Sequence, residues 1–210
     1  MSIEQELKNL KELKTLVDYK GEDRVVPSQE LLDEIKNSPV PKIYFSGFTL
    51  LDEILGGFRK GQLVIVSAAT GVGKTSFCQS LTERFLDNGH NSLWFSYEVG
   101  VEEFMEKMPG TKVFYLPKTI KQNSLDWVKL RIKEGIAKYN TRIVFIDHLH
   151  YLLEMSKMAE AKSLSLLIGQ MLRDLKSLAI EQNILIFLIS HLKKIEGVAK
   201  PSLEDLRDSS

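Results

Sequence analysis

The chemistry of this chain concentrates in AATGVGKTS, residues 68–76. That stretch follows the apolar run QLVIVSA (62–68) and precedes a helix-compatible segment, the context in which a glycine-rich loop binds phosphate. Gly71 and Gly73 permit backbone geometry in which successive N–H groups turn toward one anion. Ala69, Thr70, Gly71, Val72, Gly73, Lys74, Thr75 and Ser76 therefore form the candidate nucleotide cradle. Lys74 can reach the β- and γ-phosphates, and Thr75 can place its hydroxyl on Mg2+. The helix that follows starts at the phosphates with its partly positive end. The usual pattern G-x-x-x-x-G-K-[ST] opens on Gly, whereas Ala68 stands at that position here. ATP and Mg2+ are the cofactors these residue types imply.

Three further residues are expected at the same place because each ends an apolar run of strand length. Asp147 closes RIVFIDH (142–148), where ligands collect in open α/β sheets, and is expected to hold Mg2+ through water opposite Thr75. Glu98 ends SLWFSYE (92–98) and could accept the proton of an attacking water while metal and Lys74 stabilise the phosphoryl group. His191 follows Ser190 at the end of NILIFLIS (183–190), where a polar group can hydrogen-bond the γ-phosphate or the water. Each has an ordinary alternative: a strand-terminal Asp capping a loop, a solvated Glu, a satisfied loop histidine.

The elements that must position these groups read as a parallel sheet. With KVFYLP (112–117), the runs just named are apolar throughout rather than alternating, as strands covered on both faces are. Helical segments at 74–87, 101–107, 124–138 and 158–181 separate them. In the last, Leu164, Leu167, Ile168, Met171, Leu172, Leu175 and Leu178 recur at three- and four-residue steps, a stripe suited to lie on a sheet. Residues 4–18 and 25–35 read as two short amphipathic helices, the second with Ser28 as N-cap and Leu31, Leu32 and Ile35 on one side. Pro39 and Pro41 mark a linker, so residues 1–42 are taken as a helical linker segment and 43–210 as the core.

Composition narrows the classes. The 210 residues suggest one α/β domain with an appendage, and 43% apolar with 27% charged residues argues against a mostly disordered chain. One cysteine, Cys78, excludes an intramolecular disulfide framework and a multi-cysteine zinc site. The longest apolar run, ILIFLI (184–189), is far short of a bilayer span, so no membrane partner and a soluble, cytoplasmic setting are expected. Twenty-eight Lys and Arg balance 28 Asp and Glu, which argues against a generally polycationic coat for nucleic acid and leaves room for a local basic loop. Lys193, Lys194 and Lys200, helped by Arg207, supply one. Read alone, they could equally be a solvated face. Tyr151 is read as packed rather than stacked on a base.

Taken together, these motifs resemble the RecA superfamily of ATPases in its DnaB-like branch of replicative DNA helicases. SGFTLLDEILGGFRKGQLVIVSAATGVGKTSF (46–77), FSYE (95–98), FIDHLHYL (145–152), SHLKK (190–194) and PSLEDLRDSS (201–210) carry the resemblance. In that branch the phosphate loop often starts with Ala. The histidine at 191 makes the motifs most similar to phage primase-helicases and the mitochondrial replicative helicase.

The resemblance implies a RecA-like P-loop NTPase core: a mostly parallel central sheet with flanking helices, in the strand order 62–68, 183–190, 142–148, 92–98, 112–117. It also implies ATP hydrolysis between subunits of a hexameric ring, single-stranded DNA passing through the centre, His191 as phosphate sensor, and replication proteins as further partners. Residues 4–18 then correspond to a helix that docks on the next subunit of a homo-oligomer. The family's final strands and arginine finger would lie beyond Ser210, so slow hydrolysis by these 210 residues alone is the expectation. Two other functions fit the residues: a KaiC-like or recombination-type ATPase that unwinds nothing, and a non-catalytic loader or adaptor switched by ATP.

Overall fold

A computed structural model describes residues 5, 13–22, 24–38, 42–108, 112–120, 124–148 and 164–191. The chain separates into two units, Met1–Pro41 and Lys42–Ser210.

In the first unit, residues 13–17 are helical, and α1 (Ser28–Asn37) follows. The expectation that Ser28 caps this helix is not met. Pro27 occupies the cap position, no side chain caps the helix, and Ser28 is already its first residue. Proline suits the edge of a helix because its fixed φ fits and its missing N–H has no partner to lose there. Leu31, Leu32 and Ile35 of α1 are exposed, as are Leu13, Leu16 and Val17.

The second unit is built on four parallel strands: β3 (Leu63–Ala68), β4 (Ser92–Ser96), β5 (Ile143–Asp147) and β6 (Leu185–His191), in spatial order β3-β6-β5-β4. The strand order implied by the resemblance is thus observed for its first four strands. Before the sheet come β1 (Ile43–Tyr44), α2 (Thr49–Leu55) and β2 (Phe58–Arg59), with β1 and β2 paired antiparallel. Helices α3 (Lys74–Asp87), α4 (Val101–Glu106), α5 (Leu125–Tyr139) and α6 (Leu164–Glu181) link the strands.

Every residue of β4 and β5 is buried, and the two faces of the sheet feed two separate cores. Leu93, Phe95, Val144, Ile146, Ile186 and Leu188 pack with α5 and α6 through Val128, Ile132, Ile168, Met171, Leu175 and Leu178. Trp94, Phe145, Leu185, Phe187 and Ile189 face α3 and α4 with Cys78, Leu81, Phe85 and Phe104. The unbroken apolar runs are explained by this double covering: alternate side chains point opposite ways, and both ways are interior. On the second face the register partners Trp94, Phe145 and Phe187 stack across three strands, with centroids 4.6 and 4.8 Å apart. Trp94 satisfies its indole N–H by donating to Thr82 Oγ1 at 2.9 Å.

The expected strand at 112–117 is reduced to a single bridge. Tyr115 N donates to Ser92 O and its carbonyl accepts from Trp94 N, beside β4 where a fifth strand was expected. The next residue facing β4 is Pro117, which has no N–H to continue the ladder. Helix α5 carries clear end signals: Ser124 accepts from Trp127 N, and Asn140 closes it in the left-handed conformation. Of the long 158–181 helix, the described part is α6, whose stripe buries Ile168, Met171, Leu175 and Leu178 as expected. Among the described residues no helix is long and apolar enough to cross a membrane.

Candidate active site

Parallel pairing brings the C-terminal ends of all four strands to one edge of the sheet, and with them Ala68, Ser96, Asp147 and His191. Beyond Ala68 the chain exposes residues 69–73 and then turns into α3. Gly71 and Gly73 have φ of +81° and +91°. A Cβ at either would meet nothing within 4 Å, so backbone conformation, not crowding, selects glycine there. Gly73 stands at the cap of α3 with no side-chain cap. A helix start leaves its first N–H groups without intrahelical partners, which suits them to anions.

The first two residues of α3 are fixed differently. Lys74 is only 7% exposed, and its ammonium donates to the carbonyls of Ala68 and Ala69 at 3.0 Å each. Thr75 Oγ1 donates to Asp147 Oδ2 at 2.7 Å, joining residues 72 positions apart. Asp147 is 1% exposed, and its other oxygen, Oδ1, has no hydrogen-bond partner among the described residues.

Glu98 arrives from the neighbouring strand. The ends of β4 and β5 are tied by Ser96–Asp147 register and by Tyr97 N donating to Asp147 O at 2.6 Å. Ser96 Oγ donates to Val99 O at 2.9 Å and closes the turn that carries Glu98. The Glu98 side chain, 40% exposed, lies 4.0 Å from Nδ1 of the buried His148. Glu98, Asp147 and His148 each offer a ligand atom, all within 4.8 Å of one another.

Behind the loop, α3 is fastened to the preceding segment. Asp52 accepts from Ser46 N and Gly47 N at 2.7 and 2.9 Å. Arg84 Nη1 donates to Gly47 O at 2.6 Å, its guanidinium lies 4.1 Å from the Phe48 ring centroid, and Phe48 stacks on Phe77 of α3.

Burial dominates the electrostatics. It pushes the Asp147 carboxyl up to about 6; the Thr75 hydrogen bond opposes this, Glu98 adds to it, and Lys74 opposes it. It also lowers the Lys74 ammonium below its ordinary value, against the pull of Glu98 and Asp147. Cys78, one turn further along α3, is pushed strongly upward by burial and by Asp147, which leaves an inert thiol.

Of the residues singled out in the sequence, Lys74, Thr75, Glu98 and Asp147 are brought together with the loop 69–76. The backbone of His191 lies at the same edge as register partner of Ala68. Tyr151, Lys193, Lys194, Lys200 and Arg207 lie outside the described residues. His148 was missed, although its place directly after Asp147 at a strand end was visible in the sequence. The Arg84–Gly47 fastening has no local signal, since its partners are 37 residues apart.

The fold has known counterparts. The family model described as DnaB-like helicase C-terminal domain matches residues 44–131. A solved structure titled as a DnaB-like replicative helicase and its interactions with primase superposes with a TM-score of 0.70 at 21% identity, over 99% of this chain and 60% of that one. A second solved structure, of a separate ATPase domain, gives 0.67 at 22% identity, over 86% of this chain and 76% of that one. The fold is that of these ATPase domains, and residues 44–131 are similar to the DnaB-like family model. A probable replicative DNA helicase of Trieres chinensis is 26% identical over 86% of this chain and 48% of its own length. The replicative DNA helicase DnaB of Rhodothermus marinus is 26% identical over 78% and 21%. This chain therefore spans about half the length, or less, of these relatives. The phosphate-loop strand β3 sits at one side of the four-stranded sheet.

Proposed function

We propose that this chain is the ATPase core of a replicative-type DNA helicase, hydrolysing ATP to move along single-stranded DNA. The observation that carries the reading is the 2.7 Å hydrogen bond from Thr75 to the buried Asp147, beside Lys74 and Glu98 at the strand ends. Mg2+ fits this place: Asp147 Oδ1 is buried with no protein partner among the described residues, and the donors are the hard oxygens that such a cation takes. Thr75 and Asp147 would hold it, and when bound it neutralises charge on the phosphates.

The amides of residues 69–76 bind the phosphates, and the Lys74 ammonium exchanges its two carbonyl acceptors for phosphate oxygens. Glu98 accepts the proton of the attacking water. Its partial exposure gives that water access, while the buried Lys74 and Asp147 keep their charges in a low-dielectric setting where they act strongly. His191 senses the γ-phosphate, and His191→Ala should weaken coupling between nucleotide state and DNA affinity more than nucleotide binding itself.

Residues 1–42 serve as the linker segment, 43–210 as the catalytic core, and the assembly is a hexameric ring of like chains. Lys193, Lys194, Lys200 and Arg207 contact DNA phosphates, giving binding that is independent of sequence and weakened by salt. ATP hydrolysis by the assembled protein should rise when single-stranded oligonucleotide is added at low salt. The Lys193→Ala, Lys194→Ala double variant should reduce that response across all sequences. No DNA affinity at low salt with Mg·ATP present would overturn the helicase reading and leave an ATPase of another kind.

A further inference from the structure

We infer that His148 is a positioning residue for Glu98, holding its carboxylate toward the phosphate loop; the inference rests on the reading of Glu98 as the group that accepts the water's proton. Glu98 lies on a turn with its side chain 40% exposed, whereas a proton acceptor must be held in a precise place. His148 is the opposite: a buried residue at the end of a fully buried strand. The two ends are tied together in the backbone. Tyr97 N donates to Asp147 O at 2.6 Å, so the residues one step further along each chain, Glu98 and His148, emerge side by side.

The separation of His148 Nδ1 and Glu98 Oε2, 4.0 Å, exceeds a hydrogen bond. A small rotation of the exposed partner, Glu98, or one bridging water, closes it, as happens when catalytic contacts tighten on binding substrate. Asp147 cannot take this role, because its Oδ2 already accepts from Thr75 and both groups are carboxyls. Lys74 is held at Ala68 and Ala69. Among the described residues His148 is thus a donor-capable side chain placed against Glu98.

The test compares two variants in the full chain. His148→Phe keeps bulk and removes the donor; His148→Asn places an amide N–H near the position of Nδ1. Single-turnover hydrolysis of ATP is measured with Mg2+ titrated, together with affinity for a fluorescent ATP analogue. His148→Phe should lower the hydrolysis rate about tenfold, leave analogue affinity and the Mg2+ midpoint within twofold, and be rescued at least half-way by His148→Asn. Added to Glu98→Gln, His148→Phe should cause no further loss. An unchanged rate in His148→Phe while Glu98→Gln is inactive overturns the positioning role alone. A raised Mg2+ midpoint, or equal loss in both His148 variants, overturns it by assigning His148 to the metal or to the fold. Full hydrolysis by Glu98→Gln removes the reading of Glu98, and the positioning role with it.

Discussion

Thr75 and Asp147, on the first turn of α3 and the last residue of β5, share a 2.7 Å hydrogen bond that fastens the phosphate loop to the centre of the sheet. The bond satisfies one oxygen of a carboxyl that is otherwise shut away from water, and leaves the second without a partner among the described residues. Removing the hydroxyl should therefore be felt twice. Thr75→Val leaves Asp147 Oδ2 buried without its donor and should cost about 1–3 kcal/mol of stability. It should also raise the Mg2+ concentration needed for nucleotide binding, whereas Thr75→Ser keeps both properties. Urea denaturation and Mg2+ titration of nucleotide binding read the two effects separately.

The Asp147 carboxyl makes stability depend on pH in a definite direction. Its folded value, about 6, lies above the ordinary 3.8 because burial disfavours the charge. Stability from this group is fully present below pH about 4 and is lost as the pH rises through about 6, leaving a cost of about 3 kcal/mol near pH 7.5. Asp147→Asn keeps an acceptor for Thr75 and removes the charge. Its ligand-free thermal midpoint should exceed that of the parent at pH 7.5 and approach it at pH 4. Mg2+-dependent nucleotide binding should fall at least tenfold in the same variant. A midpoint lowered at pH 7.5 would show that the charge does not burden the fold.

Away from the site, α5 approaches the sheet at Gly135. A Cβ there would lie 2.9 Å from Thr141 Oγ1 and 3.1 Å from Leu93 Cδ2. Alanine is the better helix former by about 1 kcal/mol, but overlap with two buried side chains outweighs this. Gly135→Ala should destabilise by about 1–2 kcal/mol, and Thr141→Ala in addition should recover part of the loss. A raised urea midpoint in the single variant would contradict the close approach.

What the sequence disclosed follows from which forces are local. The runs ending at Ala68, Ser96, Asp147 and His191 were legible because strands covered on both faces must be apolar throughout, and the groups that follow such runs necessarily share an edge. Thr75 and Asp147 could be paired in advance for that reason. The Ile43–Tyr44 and Phe58–Arg59 ladder was not legible, since two residues per strand carry no periodicity. Tyr115 was overread as part of a strand because the apolar pattern outweighed Pro117. His148 carries no signal of its own, because the residue it meets, Glu98, is 50 positions away in the sequence. The Tyr97–Asp147 backbone bond is what brings His148 and Glu98 out together.

The most direct test of the account is the fate of ATP on Glu98→Gln. The protein is mixed with Mg2+ and ATP, separated from free nucleotide, and the bound nucleotide is identified, with Lys74→Ala treated alongside. The account predicts that Glu98→Gln retains ATP unhydrolysed at an affinity within about threefold of the parent, because the amide cannot accept the water's proton. Lys74→Ala should retain no nucleotide, having lost the cation that the phosphates engage. ADP accumulating on Glu98→Gln at the parent's rate, or ATP held normally by Lys74→Ala, would contradict the assignment of this strand edge as the site of hydrolysis.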